Sequence, residues 1–143
     1  MLFRTTYKDS VQEALVNDLV GQPFSLLNRI NMKGVGSKRL IIANLSPGLF
    51  STLNKIADIN YCNIELRPGG IIVRINKSLE TFAWVIPYYH LVVYKTSCIS
   101  IHAQGNFVRF KYNKTFKESK IFFDKLINEK IKHNQQYQLP HPI

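Results

Sequence analysis

Hydrophobic and polar positions follow two different periods along this chain. In "DSVQEALVNDLV" (residues 9–20), Val11, Leu15 and Leu19 fall at i, i+4 and i+8 before Gly21, which predicts a helix ending at that glycine. "QPFSLLNRINMKGVGSK" is broken by Pro23, Gly34 and Gly36, and its middle, Phe24 to Ile30, fits either a strand or a second short helix. "KRLIIAN" predicts a short apolar strand. "SPGLFSTLNKIAD" predicts a helix over 47–58: Ser46 is a capping residue, Pro47 suits the first helical position, and Leu49, Leu53 and Ile56 form a stripe.

From Tyr61 the period becomes two. Cys62, Ile64 and Leu66 alternate with polar neighbours, "PGG" at 68–70 is a turn, and Ile71, Val73 and Ile75 return on one face opposite Arg74, which predicts a hairpin. Phe82, Trp84 and Ile86 define the next strand, which Pro87 ends or bends. Tyr89, Leu91 and Val93 are expected inward, followed by Ile99 and Ile101, a turn at "QGN", and Val108, Phe110 and Tyr112 opposite Phe107, Arg109 and Lys111. A helix over about 115–133 closes the pattern, with Phe116, Phe122, Phe123, Leu126, Ile127 and Ile131 in its apolar stripe. The tail at 134–143 reads as irregular.

About six short strands with connections too short for parallel crossovers, then one amphipathic helix, define an α+β fold: an antiparallel meander closed by its C-terminal helix, with additional N-terminal helices. The natural divisions are an N-terminal helical extension (1–37), a main domain (38–133) and the tail. The extension is expected to cover an open sheet edge or to swap between protomers, which would make a homo-oligomer.

Composition adds one feature. The chain of 143 residues has ordinary hydrophobic (45%) and charged (20%) content, but a formal net charge of +10. That charge suits a nucleic acid, an anionic membrane surface or an acidic protein. It also accompanies a lysine-, asparagine- and isoleucine-rich composition, with 13 Lys against 6 Arg, that would arise without any partner. Cys62 and Cys98 lie in separate strand-like runs and are expected as buried thiols in a reducing compartment. The N-terminus lacks the apolar core of a signal peptide and no run is long enough to span a bilayer, so a cytoplasmic protein without a transmembrane segment is expected.

The segments "IELRPGGIIVRINK" and "VIPYYHLVVYKTSCISIHAQGNFVRFKY", with the closing helix, resemble the bacterial pleckstrin-homology-like families over about residues 38–133. The resemblance implies a split, partly open barrel or sandwich of two sheets plugged by the last helix, working as a binding or adaptor module. The phosphoinositide-binding members use closely spaced bases on the first hairpin. Here that region offers Arg67, Arg74 and Lys77, at a spacing that does not reproduce the motif.

The candidate anion- or membrane-binding residues are Arg67, Arg74, Lys77, Arg109, Lys111, Lys114, Lys117, Lys125 and Lys132. At 100° per residue, Lys114, Lys125 and Lys132 share the outer face of the closing helix, interrupted by Glu118 and Glu129. The alternative reading of the charge is a nucleic-acid-associated protein, in which Tyr88, Tyr94, Phe107 and Tyr112 interleave with cations as stacking platforms. No metal-ligand spacing, P-loop or dinucleotide fingerprint occurs, and nine acidic residues supply a carboxylate site poorly. A Cys98 nucleophile with His90 or His102 is the one enzymatic pairing available. The expectation is therefore a non-catalytic module, with no metal or cofactor, that recognises a protein or an anionic surface.

Overall fold

A computed structural model describes residues 2–4, 9–48, 61–77, 80–95, 98–112 and 114–136. In chain order the elements are β1 (Leu2–Arg4), α1 (Ser10–Val20), α2 (Leu26–Asn31), β2 (Leu40–Leu45), β3 (Tyr61–Arg67), β4 (Gly70–Lys77) and β5 (Glu80–Pro87). A 3-10 turn (Tyr88–His90) leads to β6 (Val92–Lys95), β7 (Ile99–Ala103), β8 (Asn106–Phe110), α3 (Lys114–Glu118) and α4 (Lys120–Gln136).

The strands run in the order β1-β5-β4-β3-β2-β8-β7-β6, and every neighbouring pair is antiparallel. β2 is shared between two halves. Leu40 and Ile41 pair with β3, whereas Ile42 to Leu45 pair with β8, and the register slips between Ile42 and Asn44. Such an irregularity bends a strand and lets it pass from one sheet to another. The two halves then enclose one core: Ile64, Val73 and Trp84 from the first meet Ile101, Val108 and Phe110 from the second. This α+β arrangement is compatible with a partly open barrel or sandwich.

The closing helix fills the core as its apolar stripe requires. Phe122, Phe123 and Leu126 are buried, and Phe123 packs against both Phe110 and Phe116. Burying each such side chain contributes about 1.5–3 kcal/mol. The stripe is shorter than expected, since Ile131 is exposed. The helix is also two segments. Ser119 lies in a turn between α3 and α4 and donates its N–H to the Phe116 carbonyl at 3.0 Å, a three-residue rather than a four-residue step. At the other end, helix persists to Gln136 rather than stopping at His133.

The N-terminal segment contributes a strand as well as helices. β1 pairs with β5 of its own chain, and α1 lies on the outer face of β4 and β5. There Phe3, Val20, Ile72, Ala83 and Val85 form a second apolar cluster, with Val16 and Leu19 against it. Asp9 caps α1 by accepting from the Val11 N–H at 2.9 Å, and Gly21 ends it at φ 85°, a left-handed backbone that favours glycine. The face of α1 differs from the expected one: Val11 and Leu15 are exposed. The open choice at Phe24–Ile30 resolves to a short helix capped by Ser25, with Leu26, Leu27 and Ile30 exposed.

After β5 the expected inward order holds at Leu91 and Val93 but not at Tyr89. Tyr88 is buried and Tyr89 exposed, because the 3-10 turn replaces the strand alternation. Tyr112, expected inward, is also exposed, since β8 ends at Phe110. The expected helix at 47–58 is helical at Pro47 and Gly48, and the remainder lies outside the described residues.

Candidate functional site

The predicted cations part company in three dimensions. Arg67 is buried at the end of β3. Its Nε donates to Glu65, and its Nη1 donates to Asn17 Oδ1 at 3.0 Å and to the Gly21 carbonyl at 2.9 Å. Arg67 thus ties the end of α1 to the sheet, and its guanidinium fork is occupied from within. Arg74 donates to Glu65 from the other side at 3.1 Å. Burial alone would raise the Glu65 pKa, but the hydrogen bonds and charges of Arg67 and Arg74 together hold it below the usual carboxylate value. Lys77 ends β4, and its side chain lies outside the described part of the structure.

The lysines of the closing helix do not form one surface. Lys114 and Lys117 belong to α3, whereas Lys125 and Lys132 belong to α4, so helical periodicity cannot be carried across the Ser119 turn. Lys117 lies over the Tyr112 ring at 5.4 Å. Lys125 donates to the Lys33 and Gly34 carbonyls at 3.1 and 3.4 Å, just past α2. Lys132 sits 3.7 Å from Glu129. Lys125, Glu129 and Lys132 line a groove of about 430 Å³ with Met32 and Ile131.

Arg109 and Lys111 differ from the rest. Both are exposed on the outer side of β8, the side opposite buried Val108 and Phe110. The strand register sets what lies beside them. Val92 stands opposite His102, and His102 opposite Phe107, so one row crosses β6, β7 and β8 on this outer side. Tyr94 meets the His102 ring edge-on at 4.7 Å between centroids, and His102 stacks on Phe107 at 5.4 Å and 24°. Tyr94 is 54% exposed and Val92 45% exposed, while His102 and Phe107 are half-buried. Burial, and then the Arg109 charge, hold His102 below the ordinary histidine value. Its Nε2 lies 3.0 Å from Ser100 Oγ.

The strands of this face carry charge of one sign. No acidic residue occurs between Glu80 and Glu118, a span that contains all of β6, β7 and β8. The face continues toward the first sheet: the Lys111 N–H donates to the Ile41 carbonyl at 2.8 Å, Ile41 stands opposite Tyr61, and Arg39 lies over the Tyr61 ring at 5.2 Å. The sequence reading placed Phe107, Arg109 and Lys111 on this side, but named His102 only as a partner for Cys98 and not as part of this face. The acid-free span was the signal available for the wider face.

A second concavity of about 820 Å³ lies where α1, the Pro68–Gly69 turn, Tyr89 and the end of α4 meet. Asp18 brings a negative charge to it, and His133 and Tyr89 supply rings. Its structural underpinning is the Arg67 cluster, together with buried Tyr88, which donates its hydroxyl to the Arg67 carbonyl at 3.0 Å and packs on His133 at 5.3 Å.

The sulfur and histidine chemistry is dispersed. Burial pushes the Cys62 thiol well above its ordinary value, which opposes thiolate formation. Cys98 is half-buried, and His90 Nε2 lies 3.2 Å from the Gln104 side-chain nitrogen. Among the described residues, no helix is long and apolar enough to cross a membrane. Comparison with protein-family models, with curated proteins and with solved structures finds no match for this chain.

Proposed function

We propose that this chain is a non-catalytic binding module with a pleckstrin-homology-like architecture, and that it holds an anionic partner on the outer face of β6, β7 and β8. The architecture is supported by two sheets that share one strand and are plugged by the C-terminal helix. The binding reading rests on one contrast. The outer face of β4 and β5 is covered by α1, whereas that of β6–β8 exposes Val92, Tyr94, Arg109 and Lys111 on strands without a carboxylate. An exposed apolar and aromatic surface with one sign of charge is the usual footprint of an interaction site. The cations of the closing helix support it less, because Lys125 and Lys132 are engaged with carbonyls or beside Glu129.

Retention on immobilised heparin tests this. The Arg109→Glu/Lys111→Glu double variant is expected to elute at clearly lower salt than the parent. The charge-matched Lys120→Glu/Lys132→Glu variant on α4 is expected to shift far less. A larger shift for the helix pair would overturn the assignment to the β6–β8 face.

A further inference from the structure

Resting on that reading, we propose that the partner is single-stranded nucleic acid, with a base stacked on Tyr94, which His102 and Phe107 support, and phosphates held by Arg109 and Lys111. The argument starts from the rings. Three aromatic side chains from three adjacent strands touch on an outer sheet face: His102 and Phe107 share a row, and Tyr94, in the next row with Ser100 and Arg109, meets His102 edge-on. Bases in a duplex rise by about 3.4 Å per step. A base inside that stack has both faces covered, so only a single strand can offer one to the exposed Tyr94 ring. Tyr94 and its two supporting rings stand on paired strands, so the site is built into the sheet.

The cations complete the geometry. Phe107, Arg109 and Lys111 occupy alternate positions of one strand and its extension, so Arg109 and Lys111 continue from the end of the ring row at steps of about 6.8 Å. A backbone running beside the stacked bases meets positive charge on that flank. A bilayer is the poorer partner, since lipid attraction relies on a cluster of about four to eight basic residues, and this row offers two. An acidic peptide would use the cations and leave the rings idle. Stacking of a base on an aromatic ring is worth about 1–3 kcal/mol and tolerates any base.

Fluorescence anisotropy with labelled oligothymidine tests the proposal, with a duplex of equal length and inorganic polyphosphate as comparisons. Oligothymidine should bind better than the duplex, with a log–log salt slope near about −1.4, or about −0.7 for each of two phosphates. Tyr94→Ala should weaken binding roughly tenfold and Tyr94→Phe should leave it nearly unchanged, because only the ring is used. Arg109→Ala should flatten the salt slope. Tyr94 is largely exposed, so its variants are expected to fold, and circular dichroism of each checks this. Oligothymidine binding that is absent at low salt, or indifferent to Tyr94→Ala, would overturn the proposal. If polyphosphate then still binds through Arg109 and Lys111, the anionic-partner reading stands alone, and if it does not, both fall.

Discussion

At the scale of single residues, the most consequential group is Glu65, which receives hydrogen bonds from both Arg67 and Arg74. Arg67 is buried, so its charge depends on that carboxylate. Glu65→Gln is therefore expected to destabilise the protein by about 3 kcal/mol, read from urea midpoints at neutral pH. The pH dependence follows from the lowered pKa of Glu65. A carboxylate whose folded value lies below its unfolded one contributes fully above the unfolded value of about 4.3, and the contribution is lost as pH falls through the folded value. The parent should lose stability over that acid range, and Glu65→Gln should lose less of it. Parallel acid titrations of the two proteins check the sign. None of this was legible in "IELRPGGIIVR", where Arg67 and Arg74 read as two free bases beside a turn. Period-two alternation puts Glu65 and Arg67 on one face, but it says nothing of Asn17 and the Gly21 carbonyl, which come from a helix nearly fifty residues earlier. By contrast, Arg109 and Lys111 were legible as outward residues, because alternation along one strand needs no knowledge of its neighbours. His102, offered by the sequence only as a partner for Cys98, was not legible as part of this face because its place between Tyr94 and Phe107 depends on cross-strand register.

At the scale of elements, the hairpin β3–β4 and the strands after it follow their sequence pattern closely, and the departures occur where one element meets another. α1 buries Val16, Leu19 and Val20 instead of the stripe through Val11 and Leu15, because the apolar surface of β4 and β5 lies at an angle that helical periodicity alone does not specify. The 3-10 turn exchanges the roles of Tyr88 and Tyr89, since the Tyr88 N–H is claimed by the Gly69 carbonyl at 3.0 Å. The turn at 68–70 thereby joins three elements: the Gly69 N–H also donates to the Val20 carbonyl at 2.8 Å. Gly70 is at the tightest point of this junction. A Cβ there would collide with the Ile86 carbonyl oxygen and lie 2.6 Å from Val20 Cγ1 and 2.8 Å from Pro87 Cα. Two of these three atoms belong to backbone, so little can yield. Gly70→Ala is expected to cost about 3 kcal/mol by overpacking. Gly36→Ala is the control: its Cβ would meet only the Ile64 carbonyl oxygen, at 4.0 Å, so a change within about 0.5 kcal/mol is expected. Equal urea midpoints for the two variants would refute the junction argument.

At the scale of the whole molecule, the two sheets are treated unequally, and that inequality makes the N-terminal segment part of the fold's stability. The strands β4 and β5 carry apolar residues on both faces: Val73, Ile75, Phe82 and Trp84 point into the shared core, while Ile72, Ala83 and Val85 point outward beneath α1. A sheet apolar on both faces must be covered on both. β1 adds to this by pairing along the edge of β5, which would otherwise offer its backbone groups to another chain. Removal of residues 1–21 should therefore do two things at once. It should lower stability, since uncovering Ile72 and Val85 alone forfeits about 1.5–3 kcal/mol for each. It should also promote self-association through the bared face and edge, in a concentration-dependent manner. Light scattering across a dilution series, with urea unfolding of the same samples, separates these effects. A double substitution of Ile72 and Val85 by Thr in the truncated chain should suppress the association without restoring stability, because it removes the apolar surface but not the missing cover. A truncated chain that stays monomeric with the parent's urea midpoint would show that α1 and β1 contribute nothing to holding the sheet, and the asymmetry behind the proposed β6–β8 binding face would lose its physical basis.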